Sequence, residues 1–312
     1  MSSAVSSNTL AASCYAKLNL TFSILGTLPD GYHQVDTLYQ SINLEDCLFF
    51  TFNKEDNNIV FDQAKSKVPQ AFPFSQENLI VKAIKLFLEK INDSIGVNIA
   101  IEKNIPMAAG LAGGSADAAG ALLLLNTYFQ NRLSQSELSA LALTIGADVP
   151  FCLHGASMRG QNKGEVLTLV PHETGMFFLV AKPSCISLST PYVFNAFDQQ
   201  ADKNIKSPDT ELACEALSHG KIKKLAPLLG NDFESVVFKM HPVLKQVCDD
   251  MKDNEAMAAH LTGSGPTVYG MFDDFIKTEV ALASLNAKFP QFDTWICTSA
   301  NRGVALMERI KE

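Results

Sequence analysis

The spacing of apolar residues predicts alternating helices and strands along most of the chain. Within residues 78–91, apolar positions recur every three or four residues, which is typical of a helix with one buried face. Between residues 97 and 101 they alternate with other residues, which indicates a strand. These elements place residues 103–114 in a turn that leads into the next helix, predicted over residues 115–126.

The third predicted helix has recognisable ends. Ser134 is followed three residues later by Glu137, which is the pattern of a capping box at a helix N-terminus. Gly146 is the residue best able to take the left-handed conformation that ends many helices. We therefore expect this helix to begin at Ser134 and to stop at Gly146.

The second half of the chain has a different order of elements. The pattern predicts a strand (176–181), several helices (191–251), two strands (258–261 and 267–272), a helix (275–285) and a strand (294–298). This βαββαβ order, with extra helices in its first crossover, is compatible with a ferredoxin-like second domain. The prediction is two domains, 1–165 and 166–312, with a boundary that falls between residues 155 and 175.

Composition adds that the chain can bury a large core. Hydrophobic residues make up 47% and charged residues 19%, which is typical of a globular protein. The most apolar segment is short and follows Asp117, whereas a membrane helix needs roughly 18–20 apolar residues. The formal net charge is −8 and no basic stripe is present, which argues against broad binding of nucleic acid. We expect neither a membrane nor a nucleic acid as partner.

The spacing of cysteines and histidines and the composition of the first residues bear on the cellular compartment of the protein. The seven cysteines form no CxxC pair and the six histidines form no HExxH motif, which predicts reduced thiols and no zinc site. The first thirteen residues are rich in Ser and Ala and contain no Lys or Arg, so they lack the features of a signal or transit peptide. The expectation is a loose N-terminal segment and a cytoplasmic protein.

A cluster of glycines marks the predicted turn before the second helix. Gly110, Gly113, Gly114 and Ser115 lie within IPMAAGLAGGSADAA (105–119). Such glycines can bring backbone N–H groups close to an anion at the positive end of a helix, which is how proteins hold phosphate. The segment lacks both the GK[ST] ending of a Walker A loop and the GxGxxG of a dinucleotide fold. The alternative is a tight turn in which small residues only serve packing.

A lysine and an asparagine share one face of the first predicted strand. Lys17 and Asn19 stand two residues apart, so both side chains point to the same side. They bring a cation and an amide together, or they lie on the wet face of an edge strand. Further along, residues 30–31 (Asp-Gly) suit a hairpin turn that Tyr32 and His33 close.

Asp148 is oddly placed for a solvated charge. It comes two residues after Gly146 and is flanked by apolar residues. A lysine such as Lys17 would keep it ionised and aim it, which suits a group that accepts the proton of a substrate hydroxyl. The alternative is an Asx-type turn near Pro150. A second glycine-rich connection, residues 261–267, either approaches phosphates or turns a hairpin.

The order of these segments resembles the GHMP small-molecule kinase superfamily over nearly the whole chain. The segments are AKLNL (16–20), DGYH (30–33), PMAAGLAGGSADAA (106–119), GADVPF (146–151) and TGSGPT (262–267). The glycine-rich loop is shared with homoserine, mevalonate and galactose kinases. The first two segments and GADVPF resemble the branch of the superfamily that acts on 4-diphosphocytidyl-2-C-methyl-D-erythritol.

This resemblance implies a fold and an activity. The fold is α+β, a two-domain GHMP kinase fold with an ATP-binding N-terminal domain resembling ribosomal protein S5 domain 2 and a ferredoxin-like C-terminal domain. The activity is transfer of the γ-phosphoryl group of ATP to the 2-hydroxyl of that small molecule, in the non-mevalonate (methylerythritol phosphate) route to isoprenoids. The implied cofactors are ATP and Mg²⁺, and the implied state is a monomer or a weak homodimer.

The resemblance also implies roles for individual residues. Asp148 corresponds to the catalytic carboxylate and Lys17 to its partner. The implied substrate contacts are Asn19, Tyr32, His33, Thr190 and Phe194, of which Tyr32 and His33 bracket the cytosine and Phe194 is a stacking ring. The implied nucleotide contacts are Asn78, Pro106, Ala108, Gly110, Gly113, Gly114 and Ser115. The resemblance leaves the protein ligands of the metal open: Mg²⁺ is bridged by the ATP phosphates, and Ser115 is the one protein group named beside it.

The sequence departs from the usual family loop at two positions. Ala112 stands where glycine is usual, and Ala116 stands where a second serine is usual. Because alanine at positive φ costs roughly 1 kcal/mol or more, we expect a negative φ at Ala112. The missing hydroxyl at Ala116 leaves the phosphates to backbone N–H groups and Ser115.

Two other functions are compatible with the same motifs. The protein could be another kinase of the superfamily, such as a homoserine or mevalonate kinase, for which free cytidine nucleotides would not compete with the substrate. It could also be a nucleotide-binding protein without catalysis. The presence of both Lys17 and Asp148 argues against the second function.

Overall fold

The computed structural model describes residues 9–173, 175–200 and 206–308, which form two sheets covered by helices. The strands are β1 (Thr9–Thr27), β2 (His33–Asn53), β3 (Ile59–Phe61), β4 (Gly96–Glu102), β5 (Ser157–Asn162), β6 (Val166–Leu169), β7 (Phe177–Pro183), β8 (Gly230–Asn231), β9 (Ala258–Leu261), β10 (Val268–Phe272), β11 (Phe292–Thr298) and β12 (Val304–Leu306). The helices are α1 (Leu79–Ile91), α2 (Gly113–Tyr128), α3 (Gln135–Ile145), α4 (Val149–His154), α5 (Thr190–Asp198), α6 (Thr210–Ser218), α7 (Ile222–Leu225), α8 (Glu234–Met240), α9 (Pro242–Asp253) and α10 (Phe275–Lys288), with a 3-10 turn at Ala226–Leu228.

The first sheet is built around the long antiparallel pair β1 and β2. Its main order is β12-β1-β2-β4-β3, while β5 pairs with β2 and β8 lies parallel to β1. The pairing of β1 with β2 shifts between Tyr15 and Lys17 and again between Asn19 and Thr21. Such irregularities bend a strand and re-aim its side chains, so they set the direction of the two polar residues between them.

Helix α2 packs closely on the first sheet because its first turns carry small residues. A Cβ atom added at Gly120 would lie 2.3 Å from Cys14 Sγ of β1, so only glycine allows this approach. Leu122, Leu124 and Leu125 then fill the core between α2 and the sheet. The turn from β4 into α2 is thereby fixed at the edge of a rigid layer.

The second sheet confirms the predicted ferredoxin-like domain. Its order is β11-β7-β10-β9 and each neighbouring pair is antiparallel. Helices α9 and α10 pack on it and share a second hydrophobic core with α8. The predicted strand 258–261 coincides with β9, and the other predicted elements of this half agree within a few residues at their ends.

Two sequence-based expectations are wrong. Residues 9–13 were predicted as part of a loose segment, but they form the start of β1. The prediction failed because buried residues there, such as Ala12, are small and give no strong apolar pattern. Residues 1–8 lie outside the described residues. Gly146 ends α3 in an extended conformation with φ −179°, not in a left-handed one. A short turn at residues 147–148, in which Val149 N donates to the carbonyl of Gly146, leads from there into α4. The capping box of Ser134 and Glu137 is confirmed.

The division of the chain between residues 165 and 166 remains a proposal. Beyond it, β6 pairs with β5 and β12 pairs with β1, so both strands belong to the first sheet. Within the described ranges, no helix has the length and apolar character that crossing a membrane requires.

Candidate active site

A cavity of about 970 Å³ opens between the two sheets, and residues of both halves line it. Every site residue expected from the sequence lies on its wall: Lys17, Asn19, Tyr32, His33, Asn78, Pro106, Ala108, Gly110, Gly113, Gly114, Ser115, Asp148, Thr190 and Phe194. The fold therefore brings together residues that are up to 177 positions apart in the chain, from Lys17 to Phe194.

Lys17 is a buried cation on the wall of this cavity. It is 3% exposed, its Nζ lies 3.9 Å from Asp148 Oδ2, and it donates a hydrogen bond of 2.5 Å to Asn19 Oδ1. Lys17 and Asn19 are both almost fully buried, so the alternative of a wet edge strand does not hold. The predicted sharing of one face by Lys17 and Asn19 is confirmed by this contact.

Asn19 is held in one orientation by three neighbours. Its side-chain amide donates to Thr37 Oγ1 at 2.8 Å, and its carbonyl oxygen accepts from Lys17. Its backbone N–H donates to Thr262 Oγ1 at 2.9 Å, which ties β1 to the glycine-rich turn between β9 and β10. Lys17 is therefore positioned by both halves of the protein.

Asp148 stands at the start of α4 but does not cap it. Its side chain makes no capping hydrogen bond within the described residues, so the Asx-turn alternative is not what the structure has. Instead, Tyr39 donates its hydroxyl to Asp148 Oδ1 at 3.3 Å, and the Asp148 side chain is 35% exposed toward the cavity. Burial, and next the charge of Asp148, raise the pKa of Tyr39 well above its usual value, so this hydroxyl stays a donor.

The loop before α2 has the shape of an anion cradle. Gly110 has φ +75° and its Cβ would meet the backbone oxygen of Thr262 at 2.6 Å, so glycine is required. A Cβ at Gly114 would meet Leu79 alone among the described residues, at an ordinary 3.7 Å, so this glycine leaves open space beside the cavity. Helix α2 begins at Gly113, and Ser115 is in its first turn. Free N–H groups at a helix start favour a bound anion.

The expected negative φ at Ala112 is wrong. Ala112 precedes α2 at its N-cap position with φ 58° and ψ 27°, in the left-handed region. The loop turns from Gly110 into the helix within two residues, and this turn needs a left-handed residue at the N-cap whatever side chain is present. Alanine in this left-handed conformation is strained.

Replacing Ala112 with glycine is expected to stabilise the protein. The left-handed conformation costs alanine about 1–2 kcal/mol, whereas the greater freedom of unfolded glycine costs about 0.5–1 kcal/mol. We expect Ala112→Gly to raise the free energy of unfolding by roughly 0.5–1 kcal/mol in urea titrations. Ala140→Gly, at an exposed position within α3, is the control and should lower it by about 1 kcal/mol. A less stable Ala112→Gly protein would contradict the strain.

A group of aromatic rings also lines the cavity. His33 stacks on Phe194 with ring centroids 4.3 Å apart, and its Nε2 lies 2.9 Å from Asp198 Oδ1. Tyr32 is 62% exposed, and the ammonium of Lys163 lies 4.0 Å from the centre of its ring. Residues 30–33 do form the predicted turn, and they also present rings to the cavity.

Thr190 and Asn78 line the cavity from different halves of the chain. Thr190 Oγ1 lies 3.0 Å from Ser264 Oγ, within the segment TGSGPT, so that segment both turns a hairpin and faces the cavity. Asn78 caps α1: its side-chain oxygen accepts from Ile80 N at 2.9 Å, and its amide donates to the carbonyl of Pro73.

The polar residues of the cavity wall that sequence reasoning missed include Tyr39, Lys103 and Asp117. Lys103 Nζ lies 2.9 Å from Asp117 Oδ2, and both side chains are buried. Burial raises the pKa of Asp117 to about 8, against the opposing effect of Lys103. A lysine directly before the glycine loop and an aspartate within an otherwise apolar helix were the available signals.

The described residues contain no group of three or more His, Cys, Asp and Glu side chains able to hold a metal. Ser115, the residue named beside Mg²⁺, lies in the first turn of α2 on the cavity wall. All seven cysteines lie in the described ranges and none forms a disulfide there. Burial raises the pKa of Cys14 well above its usual value, which keeps this thiol protonated.

Comparison with family models defines the class of protein. The model of the GHMP kinases N terminal domain matches residues 78–156, which contain the glycine loop and Asp148. The model of the GHMP kinases C terminal region matches residues 213–291. A homoserine kinase structure from Cytophaga hutchinsonii shares the fold, with a TM-score of 0.76 at 14% identity over 98% of this chain and 100% of that one. The fold is thus that of a GHMP kinase.

Curated relatives narrow the class further. A 4-diphosphocytidyl-2-C-methyl-D-erythritol kinase of Thermoanaerobacter pseudethanolicus is 36% identical over 87% of this chain and 90% of its own length. One of Caldicellulosiruptor saccharolyticus is 39% identical over 83% of this chain and 86% of its own. A crystal structure of 4-(cytidine 5'-diphospho)-2C-methyl-D-erythritol kinase superposes with a TM-score of 0.76 at 30% identity, covering 93% and 99% of the two chains. The chain belongs to the 4-diphosphocytidyl-2-C-methyl-D-erythritol kinase family, as its motifs predict.

Proposed function

We propose that this protein transfers the γ-phosphoryl group of ATP to the 2-hydroxyl of 4-diphosphocytidyl-2-C-methyl-D-erythritol. The observation that carries the proposal is the contact of 3.9 Å between Lys17 and Asp148 beside a glycine-rich helix start. Names of the relatives supply the acceptor, which is a small molecule with a cytidine group. The reaction belongs to isoprenoid precursor synthesis, and we propose that it occurs in the cytoplasm in a monomer or weak homodimer.

The glycine loop is proposed to bind the phosphates of ATP. Gly110, Gly113, Gly114 and Ser115 offer backbone N–H groups at the start of α2, where the helix dipole favours negative charge. The open space at Gly114 is on the cavity side, as a phosphate group requires. We assign Asn78, Pro106 and Ala108, on the wall next to this loop, to the rest of the nucleotide.

Asp148 is proposed to orient the acceptor and to receive its proton. The hydroxyl oxygen bonds to the γ-phosphorus as the bond to the β–γ bridging oxygen breaks, ADP leaves, and the hydroxyl proton passes to the Asp148 carboxylate. A tertiary alcohol is a far weaker acid than an aspartic acid, so complete deprotonation before attack would cost too much. The proton therefore moves late, and most of the acceleration comes from positioning and charge stabilisation.

Lys17 and Tyr39 are proposed to set the direction of Asp148. The ammonium of Lys17 lies beside the Asp148 carboxylate and adds positive charge beside the transferred group. The Tyr39 hydroxyl occupies Oδ1, so Oδ2 remains on the Lys17 side. Asn19 keeps Lys17 in place and is assigned to the methylerythritol part of the acceptor.

Oxygen ligands at the loop fit a magnesium ion that arrives with ATP. Mg²⁺ prefers phosphate and hydroxyl oxygens and usually keeps several waters, so a site with a single serine hydroxyl suits it. Ser115 is the residue that we assign beside it. When bound, the ion supplies neutralisation of charge on the phosphate oxygens.

The acceptor is testable by direct assay. Purified protein is incubated with ATP, magnesium and a panel of hydroxyl acceptors that includes homoserine, mevalonate and the cytidine-containing compound, and the phosphorylated product is identified. We expect product from the cytidine compound alone, and competition by free cytidine nucleotides. Phosphorylation of homoserine or mevalonate would assign the protein to a different kinase, and ATP binding without any product would make it a nucleotide-binding protein.

Removing the ring of Phe194 is expected to weaken acceptor binding. Aromatic stacking on a base contributes about 1–3 kcal/mol, so Phe194→Ala should raise the acceptor Kd by roughly 5- to 150-fold with little change in ATP binding. Phe197→Ala is the matched control: it is in the same helix and packs on the same Phe233, but it is not among the described residues of the cavity wall. Equal affinity of the two variants for the acceptor in calorimetry would remove Phe194 from the base site.

A further inference from the structure

A cluster of three buried ionisable side chains lies beneath the glycine loop. Asp46 of β2 is 0% exposed, and the side chains of Lys103 and Asp117 are almost as fully buried. One ammonium is shared by two carboxylates, because Lys103 Nζ contacts both Asp46 Oδ2 and Asp117 Oδ2. Burying charges is costly unless they are paired and hydrogen-bonded, so such a cluster needs a compensating role.

Asp46 is the member that holds the backbone of the loop. Its Oδ1 accepts the backbone N–H of Asn104 at 2.6 Å and that of Ile105 at 2.8 Å, while its Oδ2 accepts from Lys103. A single carboxylate therefore fixes three consecutive residues at the point where the chain leaves β4. The first half of the loop is tied to the central strand of the sheet.

Lys103 ties the second half of the loop to the same point. Its Nζ reaches Asp117 in the first turns of α2 at 2.9 Å. It passes directly below Gly113, where an added Cβ would lie 2.9 Å from Nζ. Both ends of the loop, residues 103–105 and residues 113–117, are thus joined through one ammonium.

We propose that Asp46 is a positioning residue for the nucleotide: through Lys103 and Asp117 it holds the glycine loop in the shape that binds the ATP phosphates. Asp46 itself is not among the described residues of the cavity wall, so it acts through the loop and not by contact with ATP. A misplacement of about 1 Å can lower the rate of an enzyme by about 100-fold. Loss of the contacts that Asp46 makes should therefore have a measurable effect. The inference rests on the proposed use of ATP.

The test compares two buried aspartates. In Asp46→Asn the side-chain oxygen can still accept from the backbone, but an amide N–H₂ now faces the ammonium of Lys103. We expect the Kd of a non-hydrolysable ATP analogue, measured by calorimetry, to rise about tenfold or more, while the Kd of the cytidine-containing acceptor stays within a factor of about two. The matched control is Asp250→Asn, which removes a carboxylate that is 6% exposed and paired with Lys288, away from the loop. It should leave both Kd values unchanged.

The outcomes separate positioning from stability and from the proposed reaction. Analogue binding unchanged in a folded Asp46→Asn protein, or equal weakening for both ligands, would overturn the inference. Binding is measured without turnover, so a protein that binds ATP but phosphorylates no acceptor would refute the proposed reaction alone.

A measurement on the unaltered protein decides the case if Asp46→Asn does not fold. The inference requires a loop that is already held before ATP arrives. Hydrogen exchange should therefore find the amides of Asn104 and Ile105 protected in the free protein, and exchange at the rate of an open peptide would overturn the inference.

Discussion

Replacing Asp148 with asparagine is expected to lower kcat by about 100-fold or more. Asparagine keeps the size of the side chain and can still accept from Tyr39, but it cannot take the proton of the acceptor hydroxyl. It also leaves the ammonium of Lys17 without its carboxylate. Steady-state kinetics at saturating ATP and acceptor measures the effect, and KM values should change much less than kcat.

The control for this variant removes an aspartate from an ion pair far from the cavity. Asp249→Asn loses a contact with Lys245 on an exposed face of α9, and normal kcat is expected. Near-normal turnover in a folded Asp148→Asn protein would show that proton acceptance by this carboxylate is not needed.

Replacing Lys17 with methionine is expected to lower kcat by about 100-fold or more as well, in the range typical of a lost group that stabilises transition-state charge. Methionine fills most of the space of the lysine but supplies no charge beside Asp148 and no donor to Asn19. Lys245→Met, at the other end of the control ion pair, should be fully active. Circular dichroism checks that each variant is folded.

The double variant tests whether the two groups act as one unit. Residues that work together show strongly non-additive losses, so Lys17→Met combined with Asp148→Asn should be little slower than the worse single variant. If the two losses multiply in full, Lys17 and Asp148 serve separate steps, and the coupling read from their distance of 3.9 Å is wrong.

Much of the site could be predicted because its residues carry local signals. Three local patterns each have few structural explanations: glycines before a helix, an aspartate in an apolar setting, and two polar residues on one strand face. The order of the motifs along the chain indicated that they belong to one site. The contact between Lys17 and Asn19 follows from strand alternation alone. The pairing of Lys17 with Asp148 was predicted because a half-buried carboxylate requires a partner of opposite charge.

Other features could not be predicted because they depend on packing between distant segments. Tyr39 becomes a neighbour of Asp148 through the pairing of β2 with β1 and β5, which no local pattern of β2 encodes. The predicted φ of Ala112 was wrong because it relied on the preference of alanine for negative φ. The path of the chain from Gly110 into α2 decides the conformation instead. The start of β1 at Thr9 was missed because its small residues are buried by close packing and not by size.

The irregular pairing beside Asn19 makes the length of β1 matter more than the identity of its apolar residues. Between Asn19 and Thr21 the first strand carries one residue more than its partner, since Asn19 pairs with Tyr39 and Thr21 with Leu38. Deleting Leu20 would bring the two strands back into step and exchange the faces of the strand on one side of the gap. Loss of Leu20 would therefore turn the Lys17 side chain away from the cavity or move the downstream side chains to the other face of the sheet. Replacing Leu20 with another aliphatic residue leaves the alternation of faces unchanged.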